Sequence, residues 1–340
     1  MSRLKDLDIR VGRVAPGPMN AITDVAGVRV GHADVSEGGL LTGLTAVFPY
    51  PAEAGKRRLF VGRWFLDGGA AMSGLAVAED FGTFSSPIVL APAPAAGRVY
   101  NGLITYGQKR DKGLPIDGGW PPVVIGVDDG FLNDRTAERR VGEADLDRCF
   151  AQAGREVGEG SAGIGRGLCA FGLRGGVGTA SRKVGDYGIG VLVAANGGER
   201  DGLRINGFPV GRFLDLPGPD GERPRSVFAV VATDAPLLSG QLDRLVGRMT
   251  LGLARGGFLD AHTQAGGVLA FSTSNALVDG EKVVQRVRMA GEEDLASLFE
   301  ASAEAAEEAG LNALLAADSS ERLASLTPER LLAALKKAKK

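Results

Sequence analysis

Short apolar runs, rich in β-branched residues and bounded by Gly, Pro or Asp, recur along the chain. Runs of this length and punctuation are typical of β-strands. Several are apolar at every position, which indicates strands that are buried on both faces. The predicted strands lie at residues 27–30, 45–48, 87–90, 123–127, 189–193, 227–232 and 267–272.

Helical spacing of apolar residues occurs in fewer segments. It is clearest over residues 235–254, where Leu238, Leu242, Leu245 and Met249 fall on one face. Further helices are predicted at residues 69–81, 143–156, 292–317 and 327–339. Strands come in clusters with helices between some of them, which favours a mixed α/β fold over a regular βαβ repeat. Stacked sheets covered by helices would bury such strands, and we expect a single domain over residues 1–340.

Glycine is about twice as frequent as usual, with 52 in 340 residues. Residues 158–163 fit the pattern GxGxxG, but the segment before them is predicted to be helical and the residues after them include more glycine. A dinucleotide fingerprint must follow a strand and open a helix. The pattern therefore predicts tight turns and close backbone approach rather than nucleotide binding.

Charge and composition exclude several classes of protein. The 39 basic and 41 acidic residues give a net charge of −2, so no overall basic field exists to hold nucleic acid. No apolar run is long enough for a membrane span, and residues 1–10 lack the apolar region of a signal peptide. We expect a cytoplasmic protein that acts without a membrane. Two cysteines, Cys149 and Cys169, and two histidines form neither a disulfide framework nor a zinc site, so no metal or cofactor is predicted.

One serine stands at a position suited to nucleophilic catalysis. The chain has no GxSxG motif, and His32 and His262 are interpreted as hydrogen-bonding or surface residues. A hydrolase here would need another base, and a terminal α-amino group, with a pKa of about 7.7–8.0, can serve as one. Ser226 directly follows a Gly/Pro-rich loop at residues 216–225 and opens the strand at 227–232. Cutting the chain before Ser226 would expose such an amine.

Seven sequence blocks, in order, resemble those of the self-processing serine aminopeptidases. This family comprises the L-aminopeptidase/D-Ala-esterase-amidase group, the β-aminopeptidases and, more distantly, the nylon-oligomer hydrolases. The similarity spans about residues 8 to 275. The blocks are residues 20–32, 41–47, 129–134, 175–182, 191–196, 230–237 and 270–273.

The resemblance implies an αββα sandwich of the N-terminal-nucleophile hydrolase type. It implies a cut between Arg225 and Ser226, giving chains 1–225 and 226–340, with Ser226 as nucleophile and Asn196 as a donor to the oxyanion. It also implies release of N-terminal residues from short peptides or amides through an acyl-enzyme. Relatives form tetramers or larger rings, so a homo-oligomer is expected.

Several positions depart from the family pattern. Relatives carry Gly or Asn before the nucleophile, where this chain has Arg225. They carry a hydroxyl or acidic residue, and an acid two positions on, where this chain has Gln264 and Gly266. Thr263 is the nearest hydroxyl, and Asp128 is a possible substitute for an acid at Gly126. At residues 67–71 this chain reads DGGAA, where relatives carry a more polar block. The alternative is therefore a homologue that is not processed, is catalytically altered or inactive, and binds a small ligand or partner.

Overall fold

The computed structural model describes residues 2–49, 57–66, 72–110, 112–114, 120–138, 140–216, 218, 221, 224–278 and 284–340. The strands are β1 (Arg29–Val35), β2 (Thr42–Phe48), β3 (Arg57–Phe65), β4 (Thr83–Phe84), β5 (Ile88–Pro92), β6 (Val123–Val127), β7 (Cys169–Ala170), β8 (Leu173–Arg174), β9 (Gly176–Val184), β10 (Tyr187–Asn196), β11 (Ser226–Thr233) and β12 (Ala265–Val278). The helices are α1 (Leu75–Phe81), α2 (Ala96–Arg110), α3 (Arg135–Glu138), α4 (Glu143–Ala151), α5 (Ser239–Gly256), α6 (Glu292–Leu315) and α7 (Pro328–Ala338).

The longer strands form two sheets. The first has the order β1-β2-β5-β6 and the second the order β4-β3-β12-β11-β10-β9, while β7 and β8 pair as a separate hairpin. Most neighbours are antiparallel, but β5 pairs with β6, and β11 with β12, in parallel. Both parallel pairs join strands that are separated by a helix in the chain, as parallel pairing requires.

Side chains point alternately to the two faces of each strand, so the buried residues form separate layers. On β11, Phe228 and Val230 pack into the cluster shared by the two sheets, whereas Val227 and Ala229 pack against the outer helices. The outer cluster of the second sheet includes residues of α5 and α6. The outer cluster of the first sheet includes residues of α2 and α4. The order helix, sheet, sheet, helix confirms the predicted αββα sandwich.

Glycine permits unusually close packing of helix against sheet. A side chain on Gly178 of β9 would lie 2.1 Å from the carbonyl oxygen of Ala309 in α6. A side chain on Gly252 of α5 would lie 1.9 Å from the carbonyl oxygen of Ala303 in the same helix α6. The block at residues 175–178 is therefore part of a strand that touches a helix backbone, and it is not a phosphate-binding loop.

Some elements differ from the sequence-based prediction. Helix α2 and strands β3 and β9 were not predicted, and α5 begins at Ser239 rather than at residue 235. The first residues of the helix predicted at 69–81 lie outside the described residues, as do most of residues 216–223. Among the helices that the structure describes, none is both long enough and apolar enough to span a bilayer.

Candidate active site

Ser226 and Asn196 lie opposite each other at the end of the second sheet. Asn196 is the last residue of β10, Ser226 is the first of β11, and the two are direct partners in the antiparallel ladder. By strand alternation both side chains are on the face that packs against the first sheet. Ser226 is 5% exposed and Asn196 is fully buried. The fold thus places the predicted nucleophile and the predicted donor side by side.

The Asn196 amide is held by three hydrogen bonds. Its Nδ2 donates to the Asp128 carbonyl at 2.6 Å and to Ser226 Oγ at 3.0 Å, and its Oδ1 accepts the Cys169 N–H at 3.0 Å. The Ser226 hydroxyl in turn donates to the Asn196 carbonyl at 3.3 Å. This network fixes an N–H of Asn196 beside the atom that would attack. An N–H in this position is near the place where an attacked carbonyl oxygen would become negatively charged, and it could donate a hydrogen bond there.

The carbonyl of Arg225, which precedes Ser226, is also held by donors. Its oxygen accepts the backbone N–H of Gln264 at 2.7 Å and that of Ala265 at 3.2 Å. Two N–H groups that converge on one carbonyl oxygen form the donor arrangement of an oxyanion hole. They polarise the carbonyl carbon and would stabilise negative charge on its oxygen.

Gly197 packs directly on the same peptide bond. A side chain there would lie 2.8 Å from Ser226 N and 3.2 Å from the carbonyl carbon of Arg225. The Arg225 side chain is half-exposed and its guanidinium lies 3.6 Å from the Glu199 carboxylate. The large residue before Ser226 is therefore accommodated at the surface, whereas its peptide bond is tightly packed.

Gln264, Thr263 and Gly266 differ in how they relate to the site. Gln264 reaches the site through its backbone N–H, and its side chain is exposed. Thr263 Oγ1 accepts the backbone N–H of Asp260 at 3.0 Å, which stabilises a local turn. On β12 the residue paired with Ser226 is Ala265. The next residue, Gly266, is on the opposite face of the sheet, which the helices cover and on which Val268 also lies. The residues on the same face as Ser226 are therefore Ala265 and Gly267.

Asp128 contributes its backbone to the site rather than its carboxylate. The carboxylate is paired with Arg135 at 2.9 Å, while the carbonyl oxygen orients Asn196. The turn that follows is anchored by buried Asp129, which accepts hydrogen bonds from Thr42 Oγ1 and Asn133 Nδ2. The block at residues 129–134, predicted as a family motif, directly follows Asp128, whose carbonyl accepts the hydrogen bond from Asn196.

Neither histidine contacts Ser226. His32 Nδ1 lies 3.0 Å from Thr45 Oγ1, and burial lowers the pKa of His32 to about 4. His262 is exposed, and its backbone N–H donates to Asp260. Within the described part of the chain, the hydrogen bonds of Ser226 Oγ are all with Asn196.

Comparison with known proteins agrees with this geometry. Residues 20–326 match the family model described as "Peptidase family S58". The chain belongs to peptidase family S58. It is 35% identical to "Beta-peptidyl aminopeptidase BapA" of Sphingosinicella microcystinivorans, over 93% of this chain and 86% of that protein.

Solved structures of relatives share the whole fold. A β-aminopeptidase from a Burkholderia species is 36% identical with a TM-score of 0.91, covering 99% of both chains. The L-aminopeptidase D-Ala-esterase/amidase of Ochrobactrum anthropi is 32% identical with a TM-score of 0.89, also covering 99% of both chains. The latter is described as a prototype for the serine aminopeptidases and a variant of the N-terminal-nucleophile hydrolase fold. This S58 chain is accordingly a hydrolase of the serine aminopeptidase type.

Proposed function

We propose that this S58 peptidase cuts itself between Arg225 and Ser226 and then uses Ser226 as an N-terminal nucleophile. The observation that carries the proposal is the pair of backbone N–H groups, from Gln264 and Ala265, on the Arg225 carbonyl oxygen. Two donors on one carbonyl oxygen make the carbonyl carbon more electrophilic. The hydroxyl that attacks this carbon belongs to the next residue, Ser226.

Self-cleavage proceeds in two steps, an acyl shift and a hydrolysis. Ser226 Oγ attacks the Arg225 carbonyl carbon, its proton passes to the Ser226 nitrogen, and the C–N bond breaks to leave an ester and a free amine. Water then hydrolyses the ester, which yields the Arg225 carboxylate and restores the Ser226 hydroxyl. The two backbone donors, from Gln264 and Ala265, stabilise the negative charge that develops on the Arg225 oxygen during this attack.

The exposed amine then supplies the missing base. A terminal α-amino group, with a pKa of about 7.7–8.0, is about half uncharged near pH 8, and this uncharged fraction can accept the hydroxyl proton of its own residue. The acyl-enzyme forms on Ser226 Oγ as the leaving amine departs, and water releases the acyl group. Asn196 Nδ2, 3.0 Å from Oγ, would donate to the oxyanion in both half-reactions.

The proposed substrates are short peptides, amides or esters with a free N-terminal residue. This substrate class is supported by the relatives, whose names state β-peptidyl aminopeptidase and D-Ala-esterase/amidase activities. We further propose that the protein works as a homo-oligomer, a tetramer or larger, in the cytoplasm. Size-exclusion chromatography with light scattering tests the assembly.

Intact-mass measurement on freshly purified protein tests the cleavage. The wild type should give two chains, 1–225 and 226–340, and Ser226→Ala should remain a single chain without activity on aminoacyl amides. Ser272→Ala is the matched control, because Ser272 is a buried serine at the far end of the same strand pair. It should be processed normally.

A single intact wild-type chain that is still folded would overturn the proposal and favour the unprocessed homologue. Cleavage of Ser226→Ala at the same bond would exclude Ser226 as the nucleophile.

A further inference from the structure

A cavity of about 610 Å³ lies beside the β7–β8 hairpin, apart from Ser226. Three arginines line it, Arg166, Arg174 and Arg322. The described lining contains neither Ser226 nor Asn196, so the cavity is separate from the candidate active site.

Arg174 is a buried charge with only neutral partners. It is 3% exposed; its Nε donates to the Asp318 carbonyl at 2.9 Å, and its Nη2 donates to the Arg166 carbonyl at 2.7 Å and to Ser161 Oγ at 3.4 Å. Its Nη1 is buried and has no hydrogen-bond partner among the described residues. A guanidinium removed from water without an anion is costly to the folded state. Burial and the nearby charge of Arg166 both lower the pKa of Arg174, in keeping with this cost.

Arg166 adds a second unused donor to the same cavity. Its terminal nitrogens bind Asp34 at 3.2 Å and Ser36 Oγ at 3.0 Å, but its Nε is buried and lacks a partner within the described residues. Arg322 is held over the ring of Phe131, with its guanidinium carbon 4.6 Å from the ring centre. Three cationic groups therefore border one space, and two of them, Arg166 and Arg174, each have a buried nitrogen without a hydrogen-bond partner among the described residues.

The carboxylates at the cavity do not neutralise these arginines. Asp318 and Glu321 also line it, yet neither forms an ion pair with Arg166, Arg174 or Arg322 in the described structure. Asp318 binds Arg174 through its backbone carbonyl and donates its own N–H to Ser161 Oγ at 3.0 Å. Among the described residues no carboxylate forms an ion pair with Arg174, and the Asp318 carboxylate acts on it only at longer range, where it opposes the lowering of the Arg174 pKa.

We propose that this cavity binds a small organic molecule through a carboxylate or phosphate group held by Arg174 and Arg166. A guanidinium presents paired N–H donors that match the oxygens of either group. The volume falls within the range of small-ligand pockets, about 300–1,000 Å³, so it exceeds what a bare oxyanion would fill. The proposal does not depend on cleavage at Ser226.

Titration calorimetry with inorganic phosphate and with acetate tests the site, using sodium chloride at matched ionic strength as the blank. Saturable binding of one anion, absent with chloride, is expected, and the tighter anion identifies the ligand group. Arg174→Gln and Arg166→Gln should each weaken binding at least about tenfold, since each removes a charged donor. Arg244→Gln is the control, because Arg244 is an exposed arginine paired with Glu292 elsewhere. It should bind like the wild type.

No saturable binding of either anion, or equal binding by Arg166→Gln and the wild type, would overturn the proposal. If Arg174→Gln does not fold, Arg166→Gln alone decides, because its side chain is partly exposed. Repeating the titration in Ser226→Ala separates failure of this site from failure of the proposed peptidase chemistry.

Discussion

At the residue scale, the donors that hold the Arg225 carbonyl come from the backbone. Gln264 and Gly266 stand where the resemblance to the family implies a hydroxyl or acidic residue and an acid. The Gln264 side chain is exposed, and Gly266 is on the helix-covered face of β12. What remains at Ser226 is one amide side chain, Asn196, and two backbone donors aimed at the preceding carbonyl. Backbone N–H groups need no particular side chain, so these two bonds to the Arg225 carbonyl do not depend on the side chains at 264 and 265.

Gly197 packs against the Arg225–Ser226 peptide bond, where self-cleavage is proposed. Gly197→Ala should slow self-cleavage by at least about tenfold, because its methyl group would lie 2.8 Å from Ser226 N and displace the peptide from its donors. Densitometry of the precursor and product bands over time measures the rate.

Gly202→Ala is the matched control. A methyl group at Gly202 meets nothing within 4 Å, so processing should proceed at the wild-type rate. Equal rates for the two variants would contradict the assigned role of Gly197.

At the element scale, strand register assembles the site. The antiparallel pair β10–β11 brings Asn196 to Ser226, and the parallel pair β11–β12 brings Ala265 to Ser226. A one-residue slip of either pair would turn one of the side chains to the opposite face. The first sheet contributes the end of β6, from which the Asp128 carbonyl reaches Asn196. The catalytic geometry therefore depends on pairings between segments far apart in the chain.

The β1–β2 pair contains an acid-sensitive contact. His32 has a folded-state pKa of about 4, below its ordinary value of 6.5, because burial disfavours the charged ring. Between these two pH values the unfolded chain binds a proton that the folded chain does not. The free energy of unfolding should therefore fall, by up to about 3 kcal/mol, as pH drops from 6.5 to 4. His32→Gln should show a shallower loss over this range in urea unfolding.

His262→Gln is the control for this pH dependence. His262 is exposed, so His262→Gln should leave the slope of the unfolding free energy against pH as it is in the wild type. An identical slope in His32→Gln and the wild type would show that His32 is not the group responsible.

At the scale of the whole molecule, one apolar layer joins the two sheets and so fixes the two halves of the site together. Phe271 of β12 is fully buried in this layer, with its ring centre 5.7 Å from that of Phe84. Phe271→Ala should lower the free energy of unfolding by about 3–5 kcal/mol, because it leaves a cavity between the sheets. Chemical denaturation followed by circular dichroism measures it.

Phe81→Ala provides the comparison for Phe271→Ala. Phe81 is 55% exposed, so its loss should change the free energy of unfolding by no more than about 0.5 kcal/mol. A similar effect of the two substitutions would contradict the layered core described above.

The sequence patterns did not predict the elements in which glycines allow close packing. Helix α2 was not predicted because Gly97, Gly102 and Gly107 lower its helix propensity. In the structure, a side chain on Gly107 would overlap the ring of Trp120 at 2.7 Å, so the glycine is needed for that contact. Strand β9 was missed for the same reason, since Gly176 and Gly178 lie against the backbone of α6. Propensity is a local property, whereas these glycines are explained by partners distant in sequence.

Colinear motifs and strand patterns predicted the family and the α/β class, and both are confirmed. The same motifs named Ser226 and Asn196 as candidate site residues, and the fold places these two side by side. Three features could be seen only in the folded chain: the hydrogen bonds to the Arg225 carbonyl, the face of the sheet on which Gly266 lies, and the burial of Arg174 without an ion-pair partner among the described residues. Each of these depends on strand register or on contacts across more than a hundred residues. A linear pattern records the identity of a residue, but hydrogen bonding and desolvation depend on which distant atoms the fold brings to it.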